Sequence, residues 1–145
     1  MKIVVQRVKN ASVTIDDKIY SHIDAGMLIL FCAEKGDTAD KLDWIANKIM
    51  SLRFFEDENG KMNKSIRDVK GDIMVVSQFT LAADCKKGTR PSFDNAENPE
   101  AAKQLYEKFI SILKKEGLNV QNGVFAAMMQ VSLINDGPVT FVIEK

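Results

Sequence analysis

The first third of the chain consists of strand-like runs separated by short turns, and this pattern limits the possible folds more than any other feature. The runs cover residues 3–8, 11–15, 19–23 and 27–32, with a turn signal at 16–18 and an interruption at Ala25-Gly26. The last run is apolar on both faces, which is typical of a central strand. Several short strands in succession favour a strongly curved or barrel-like sheet.

The rest of the chain adds two main helices and three further strands. An apolar stripe at helical spacing predicts a helix over residues 38–53. Asn98 followed by Pro99 predicts the start of a second helix, which Gly117 closes. Strands are predicted over residues 73–79, 128–134 and 139–143. Because helices and strands do not alternate regularly, we expect a single α+β domain over residues 1–145, with a largely antiparallel, curved sheet.

Composition limits the possible sites. His22 is the one histidine, so a site built from several histidines is impossible and a Ser-His-Asp triad would have to use it. We interpret His22 as a solvent-facing residue of a strand, and we expect neither a metal nor a cofactor. Cys32 and Cys85 lack metal-type spacing and suggest free thiols in a reducing, cytoplasmic setting.

Charge and hydropathy limit the possible partners. The chain has 20 basic and 20 acidic residues, so a nucleic-acid partner would have to be held by local basic groups. No apolar run approaches the about 20 residues that cross a membrane. The N-terminal segment lacks the features of a signal peptide. We therefore expect no membrane association.

The segment Asn135-Asp136-Gly137-Pro138-Val139-Thr140 lies between the last two predicted strands. Asp-Gly is a common hairpin signal because both residues tolerate a positive φ, so we interpret the segment as a hairpin turn. Pro138 cannot donate to a sheet ladder, and an X-Pro bond is where a cis peptide is least unfavourable. Such a turn can present bare backbone carbonyls to a small ligand, or it can be an edge hairpin with no such role.

The segment Ser77-Gln78-Phe79-Thr80-Leu81 ends a buried strand and enters a loop. Backbone N–H groups at a strand end can stabilise a developing oxyanion, and Thr80 adds a hydroxyl. A threonine nucleophile, however, needs a base or an N-terminal amine, and neither lies near Thr80 in the sequence. The same polar side chains could instead cap backbone groups.

Two other segments could contact a ligand. Lys86, Lys87 and Arg90 lie close to Phe93, a composition that suits phosphate or RNA contact through charge and stacking, although a solvated basic loop is the alternative. Phe125 and Met129 bound an apolar, methionine-containing stretch that could line a pocket. Such stretches more often belong to the core.

Three motifs in combination are more specific than any one alone. Residues 77–81, Arg90-Pro91-Ser92-Phe93 and residues 135–140 together resemble the D-aminoacyl-tRNA deacylase family of the bacterial and eukaryotic type. The resemblance runs over the whole chain. It implies hydrolysis of the ester between a D-amino acid and the terminal adenosine of tRNA, which is a chiral proofreading step in translation. It also implies a homodimer with active sites at the interface.

The resemblance implies two groups of site residues. The catalytic group is Ser77, Gln78, Phe79 and Thr80. The group that binds the substrate and selects its chirality is Gly137, Pro138, Phe125 and Met129. Gly137 and Pro138, joined by a cis peptide, are expected to reach into the pocket of the other subunit and to reject L-amino acids, while glycine would be admitted.

Two questions stay open at this point. The nucleophile could be Thr80, or the terminal 2′-hydroxyl of the RNA could assist the reaction, which the lack of a base near Thr80 favours. Lys86, Lys87 and Arg90 are assigned to tRNA binding from their charge alone. The alternative function is a non-catalytic dimeric module that binds RNA 3′ ends or an amino-acid-like ligand.

Overall fold

The computed structural model describes all residues from 1 to 145. The chain forms a six-stranded main sheet, a small two-stranded sheet, three α-helices and one 3₁₀ helix. In chain order these are β1 (Lys2–Ile15), β2 (Lys18–Ile23), β3 (Gly26–Cys32), α1 (Ala39–Ser51), β4 (Phe55–Glu56), β5 (Met62–Lys64), α2 (Ile66–Val69), β6 (Asp72–Ser77), the 3₁₀ helix (Phe79–Ala82), α3 (Pro99–Lys114), β7 (Val120–Asn122) and β8 (Gln130–Glu144). The predicted α+β class is confirmed.

The sheet is organised around β1. Its order is β2-β1-β3-β6-β7, and β8 also pairs with β1. The three strands that pair with β1 are antiparallel to it. β6 is parallel to both β3 and β7 because helical segments connect these strands. The sheet is therefore mixed, with the predicted antiparallel strands at one side and a short parallel part at the other.

Two of the strand predictions differ from the structure. The runs at 3–8 and 11–15 form one continuous strand, β1. The runs at 128–134 and 139–143 also belong to one strand, β8, so the predicted hairpin turn is wrong. β8 follows β1 along its length, from the pair Lys2 and Glu144 to the pair Thr14 and Gln130. The chain does not reverse at Gly137; it bulges there.

The core occupies both faces of the sheet. Alternate residues of β3 and β6 point to opposite faces, and both faces are buried, as the apolar pattern of residues 27–32 predicts. The larger cluster lies between the sheet and helices α1 and α3, and includes Ile29, Phe31 and Phe109. The smaller cluster lies on the opposite face and includes Leu28 and Val76.

Local sequence signals explain where α3 begins and why β3 and β6 approach closely. The Asn98 side chain accepts a hydrogen bond from the N–H of Ala101 at 3.0 Å, with Pro99 in the first helical position, as predicted. Gly26 is required at the start of β3, because a Cβ atom there would lie 1.9 Å from the backbone oxygen of Asp72.

None of the helices combines the length and the apolar composition that crossing a membrane requires.

Candidate functional site

A cavity of about 540 Å³ opens where β6 ends. Its lining is mainly apolar, and comes from the ends of β3 and β6, the start of α3 and the loop that precedes β8. Ser77, Gln78, Phe79, Phe125 and Met129 all line it. The structure therefore brings together five of the eight residues that the sequence assigned to catalysis and substrate binding.

The backbone at the end of β6 presents two amide groups in succession. The N–H of Gln78 is already used, because it donates to the carbonyl oxygen of Phe31 at 2.7 Å. Phe79 and Thr80 follow as the first two residues of the 3₁₀ helix, whose opening N–H groups have no acceptor within the helix. The first bond of this helix is donated by Leu81 to the Gln78 carbonyl.

The Thr80 hydroxyl has a donor beside it and no base. The Gln78 side chain donates from Nε2 to Thr80 Oγ1. An amide N–H cannot accept the proton that a nucleophilic threonine must lose. His22 is absent from the cavity lining; it lies on β2 with its side chain 53 % exposed and its Nε2 3.8 Å from Asp24. The interpretation of His22 as a solvent-facing strand residue is confirmed.

Cys32 and Glu97 are the titratable residues that line the cavity. Burial raises the pKa of the Cys32 thiol to about 11, so it is a neutral thiol near pH 7 and a poor nucleophile. Glu97 is the one carboxylate of the lining, and it accepts hydrogen bonds from the backbone and side-chain N–H groups of Asn98.

The wall that carries Phe125 and Met129 is fixed to the core through Tyr106. The buried Tyr106 hydroxyl lies 2.9 Å from the Val75 carbonyl oxygen and 3.0 Å from that of Gly123. Its ring centroid is 5.9 Å from that of Phe125. Burial raises the pKa of this phenol, which stays protonated and keeps donating. The start of the loop, at Gly123 and Phe125, is therefore anchored to the core.

Gly137 and Pro138 lie elsewhere in this chain. They are absent from the cavity lining, and both are exposed in the bulge of β8. The peptide bond between them is cis, as predicted. The bulge occupies the gap in the ladder between the pair Gln6 and Thr140 and the pair Val8 and Asn135.

Arg7 holds this bulge, and the sequence reading did not identify it as a site residue. Its side chain is buried, and its Nε donates to the Asp136 carbonyl oxygen at 2.9 Å while Nη1 donates to that of Phe54 at 3.0 Å. Asn135 Nδ2 donates in return to the Arg7 carbonyl oxygen at 3.0 Å. A signal was available: Arg7 occupies the same face of β1 as Ile3 and Val5, both buried.

The basic loop does not line the cavity. Lys86, Lys87 and Arg90 are exposed, and none of them forms an ion pair. Asp84 and Ser92 close the loop by exchanging two backbone hydrogen bonds of 2.8 and 3.0 Å. Their assignment to tRNA binding stays a prediction.

Comparison with known proteins finds similarity along nearly the whole chain. The model of the family described as D-Tyr-tRNA(Tyr) deacylase matches residues 4–144. A D-aminoacyl-tRNA deacylase of Geotalea uraniireducens is 53 % identical over 99 % of this chain and 93 % of its own length. One of Desulfitobacterium hafniense is 51 % identical over 100 % of this chain and 97 % of its own.

Two solved structures share the fold. One is described as a c-Myc DNA unwinding element binding protein; it is 42 % identical, covers 100 % of this chain and 99 % of its own, and has a TM-score of 0.93. The other, described as a probable eukaryotic D-amino acid tRNA deacylase, has a TM-score of 0.83 over 98 % of this chain and 97 % of its own, and at 16 % identity it supports the fold alone. With the family match and these identities, the chain belongs to the D-Tyr-tRNA(Tyr) deacylase family.

Proposed function

We propose that this protein is a hydrolase of carboxylic esters that cleaves D-aminoacyl-tRNA into a free D-amino acid and tRNA. The observation that carries the proposal is the pair of amides at Phe79 and Thr80, which opens the 3₁₀ helix at the end of β6. Phe79 lines the mainly apolar cavity, whereas Thr80 directly follows it and is not part of the lining. The cavity volume of about 540 Å³ lies within the usual range of small-molecule sites. Membership of the family supplies the substrate class.

The two amides stabilise the oxyanion of the tetrahedral intermediate. The Gln78 N–H takes no part in this role because it donates to the Phe31 carbonyl oxygen, which leaves Phe79 and Thr80 as the donors. Loss of one oxyanion donor typically lowers a rate by about 100-fold or more. Ser77 and the Gln78 side chain seat the terminal adenosine or the amino acid.

The RNA itself supplies the proton relay. Water adds to the ester carbonyl carbon and gives a proton to the neighbouring 2′-hydroxyl oxygen. The bond between the carbonyl carbon and the 3′ ribose oxygen then breaks, and the 2′-hydroxyl passes its own proton to that leaving oxygen. This division of roles is supported by the donor contact on Thr80, which offers no acceptor for the hydroxyl proton, and by the raised pKa of Cys32, which keeps that thiol neutral near pH 7. No metal or cofactor has a step in this scheme.

Chirality is selected by Gly137 and Pro138 of a second subunit. Both residues are exposed on the bulge of β8, outside the cavity of their own chain, so they are available to a two-fold partner. Their carbonyls accept hydrogen bonds from the substrate ammonium group, and an L side chain would collide with the backbone. Such a wall can discriminate beyond the about 1–3 kcal/mol that one methylene supplies. Glycine has no side chain to collide.

The expected setting is the cytoplasm, where aminoacyl-tRNA is formed. Both cysteines are free, with Cys32 buried and Cys85 exposed, which is compatible with a reducing compartment. The partners are a second copy of the chain and the 3′ end of tRNA.

The deciding experiment is a deacylation assay with D-tyrosyl-, L-tyrosyl- and glycyl-tRNA in parallel. We expect rapid release of D-tyrosine, slower release of glycine, and no release of L-tyrosine. Binding of D-tyrosyl-tRNA without any release would identify a binding module instead. Glycyl-tRNA that stays intact at high enzyme concentration would refute the backbone wall.

The role of Thr80 requires a second experiment. Thr80→Val removes the hydroxyl and keeps the backbone N–H, while Thr80→Ser is the matched control that keeps both. We expect Thr80→Val to retain most turnover, and tRNA ending in 2′-deoxyadenosine, charged at the 3′ position, to lose it. Loss of turnover in Thr80→Val with intact binding would make Thr80 the nucleophile.

A further inference from the structure

Phe79 and Phe93 form an exposed aromatic pair. Their ring centroids are 5.1 Å apart and the ring planes are tilted by 60°. Phe79 is 58 % exposed and Phe93 is 39 % exposed, and they are the only exposed residues among the eight phenylalanines. Each ring therefore keeps apolar surface in contact with water, which is unfavourable unless a partner covers it.

The pair connects the cavity to the basic loop. Phe79 is part of the cavity lining, whereas Phe93 directly follows Ser92, which closes the loop by pairing with Asp84. The loop itself carries three exposed cations without ion-pair partners, as described above. A chain that leaves the cavity past Phe79 would meet a second aromatic ring and then positive charge.

We propose that Phe79 and Phe93 form a stacking site for the base of the nucleotide that precedes the terminal adenosine. The cations of the loop, at Lys86, Lys87 and Arg90, bind the phosphates of the same single-stranded end. The proposal rests on the proposed function, which places the adenosine and its amino acid in the cavity.

The chemistry of the occupant follows from the two kinds of group. An unpaired nucleobase offers two flat faces, and stacking on an aromatic side chain accepts any base. Phosphates are attracted to the cations, and since the chain has no net charge, this local group has to supply the attraction. An extended single strand of RNA carries both features at every nucleotide.

The test compares three ligands that cannot be hydrolysed. The first is adenosine that carries D-tyrosine through an amide at the 3′ position. The second adds a 5′ cytidylyl residue, and the third adds the same sugar and phosphate without a base. We expect the ligand with cytosine to bind about tenfold more tightly than the abasic one. Equal dissociation constants would overturn the stacking site.

Substitutions test whether Phe93 causes the tenfold ratio between the dissociation constants of the abasic and the cytosine-containing ligands. Phe93→Ala should reduce the ratio to about one, whereas Phe93→Trp, which keeps an aromatic face, should preserve it. Trp44→Ala is the matched control, since Trp44 is 41 % exposed on α1 and lies outside the cavity lining. A ratio unchanged in Phe93→Ala, or equally reduced in Trp44→Ala, would overturn the proposal.

Salt dependence separates the cations from the rings. For a trinucleotide ligand, replacing both Lys86 and Lys87 by alanine should lower the slope of log Kd against log salt by about 0.7 for each lost phosphate contact. Phe93→Ala should leave the slope unchanged. A slope that is the same in the double variant and in the wild type would remove the loop from the site.

Failure of this proposal differs from failure of the proposed function. Binding of the adenosine ligand and cleavage of D-tyrosyl-tRNA test the function alone. If both succeed while the base adds no affinity, only the stacking site is refuted. If the adenosine ligand does not bind, both proposals fall.

Discussion

Replacing Arg7 tests how the bulge of β8 is held. The Arg7 guanidinium donates to the backbone carbonyls of Phe54 and Asp136, and it also lies 3.2 Å from the Asp136 carboxylate and 3.4 Å from that of Glu56. The side chains of Asp136 and Glu56 are 42 % and 57 % exposed, so water screens both ion pairs. The backbone contacts should therefore dominate.

The magnitude follows from those contacts. The Phe54 carbonyl is buried with Arg7 as its donor, and leaving it without one costs about 1–3 kcal/mol. The partly buried Asp136 carbonyl adds about 1 kcal/mol. Each screened ion pair contributes about 0–1 kcal/mol. We expect Arg7→Met to lower the free energy of unfolding by about 2–6 kcal/mol, and Arg7→Lys by less, because one ammonium cannot reach both carbonyls.

The matched control is Asp136→Asn, which removes the carboxylate and keeps the carbonyl that Arg7 contacts. It should lower the free energy of unfolding by about 1 kcal/mol or less. The assay is urea denaturation of the three variants and the wild type at pH 7, followed by circular dichroism. If Asp136→Asn is as destabilising as Arg7→Met, charge rather than backbone bonding holds the bulge, and the reasoning is refuted.

Three further outcomes follow from buried groups. The folded state raises the pKa of the Cys32 thiol from 9.0 to about 11. The contribution of Cys32 to the free energy of unfolding is therefore fully present below pH 9.0 and is lost as the pH rises towards 11. Cys32→Ala should remove this part of the pH dependence, measured by denaturant titrations at several pH values. Tyr106→Phe should lower the free energy of unfolding by only about 1 kcal/mol, since both carbonyls it contacts keep a second donor, and a larger loss would contradict this. Gly26→Ala should lower the free energy of unfolding by about 3 kcal/mol or more, measured by thermal unfolding, because the new Cβ would collide with the backbone of Asp72. A variant as stable as the wild type would show that β3 and β6 can move apart to accommodate the Cβ.

Periodicity and capping were enough to predict most of the elements. The apolar stripe of α1 and the Asn98-Pro99 start of α3 depend on neighbours within a few residues, and both predictions are confirmed. The two-sided burial of β3 follows from its uninterrupted apolar run. Such features need no knowledge of distant parts of the chain.

The prediction of a hairpin at Gly137 was wrong because the outcome there depends on a distant part of the chain. Asp-Gly-Pro interrupts a strand in the same way whether the chain reverses or bulges. The outcome depends on β1, which is long enough to pair with residues on both sides of the interruption. That information lies more than a hundred residues away, beyond the reach of a local pattern.

The sequence also predicted part of the site and missed part of it. Ser77, Gln78 and Phe79 meet Phe125 and Met129 because β6 and β7 are parallel neighbours, so their ends open onto one cavity. The resemblance of the three motifs identified these residues, whereas spacing alone left them as capping or core residues. Arg7 was missed because its partners, Phe54 and Asp136, come from separate segments.

The pairing of β1 with β8 also has a consequence for folding. Lys2 pairs with Glu144, so the ladder that contains the most central strand joins residues from opposite ends of the described chain. Contacts of such high sequence separation raise the contact order, and folding is slower when they must form early. During synthesis, β1 emerges first and keeps one unpaired edge until β8 leaves the ribosome. Nascent chains stalled before residue 130 should therefore expose an aggregation-prone strand edge that the finished protein covers.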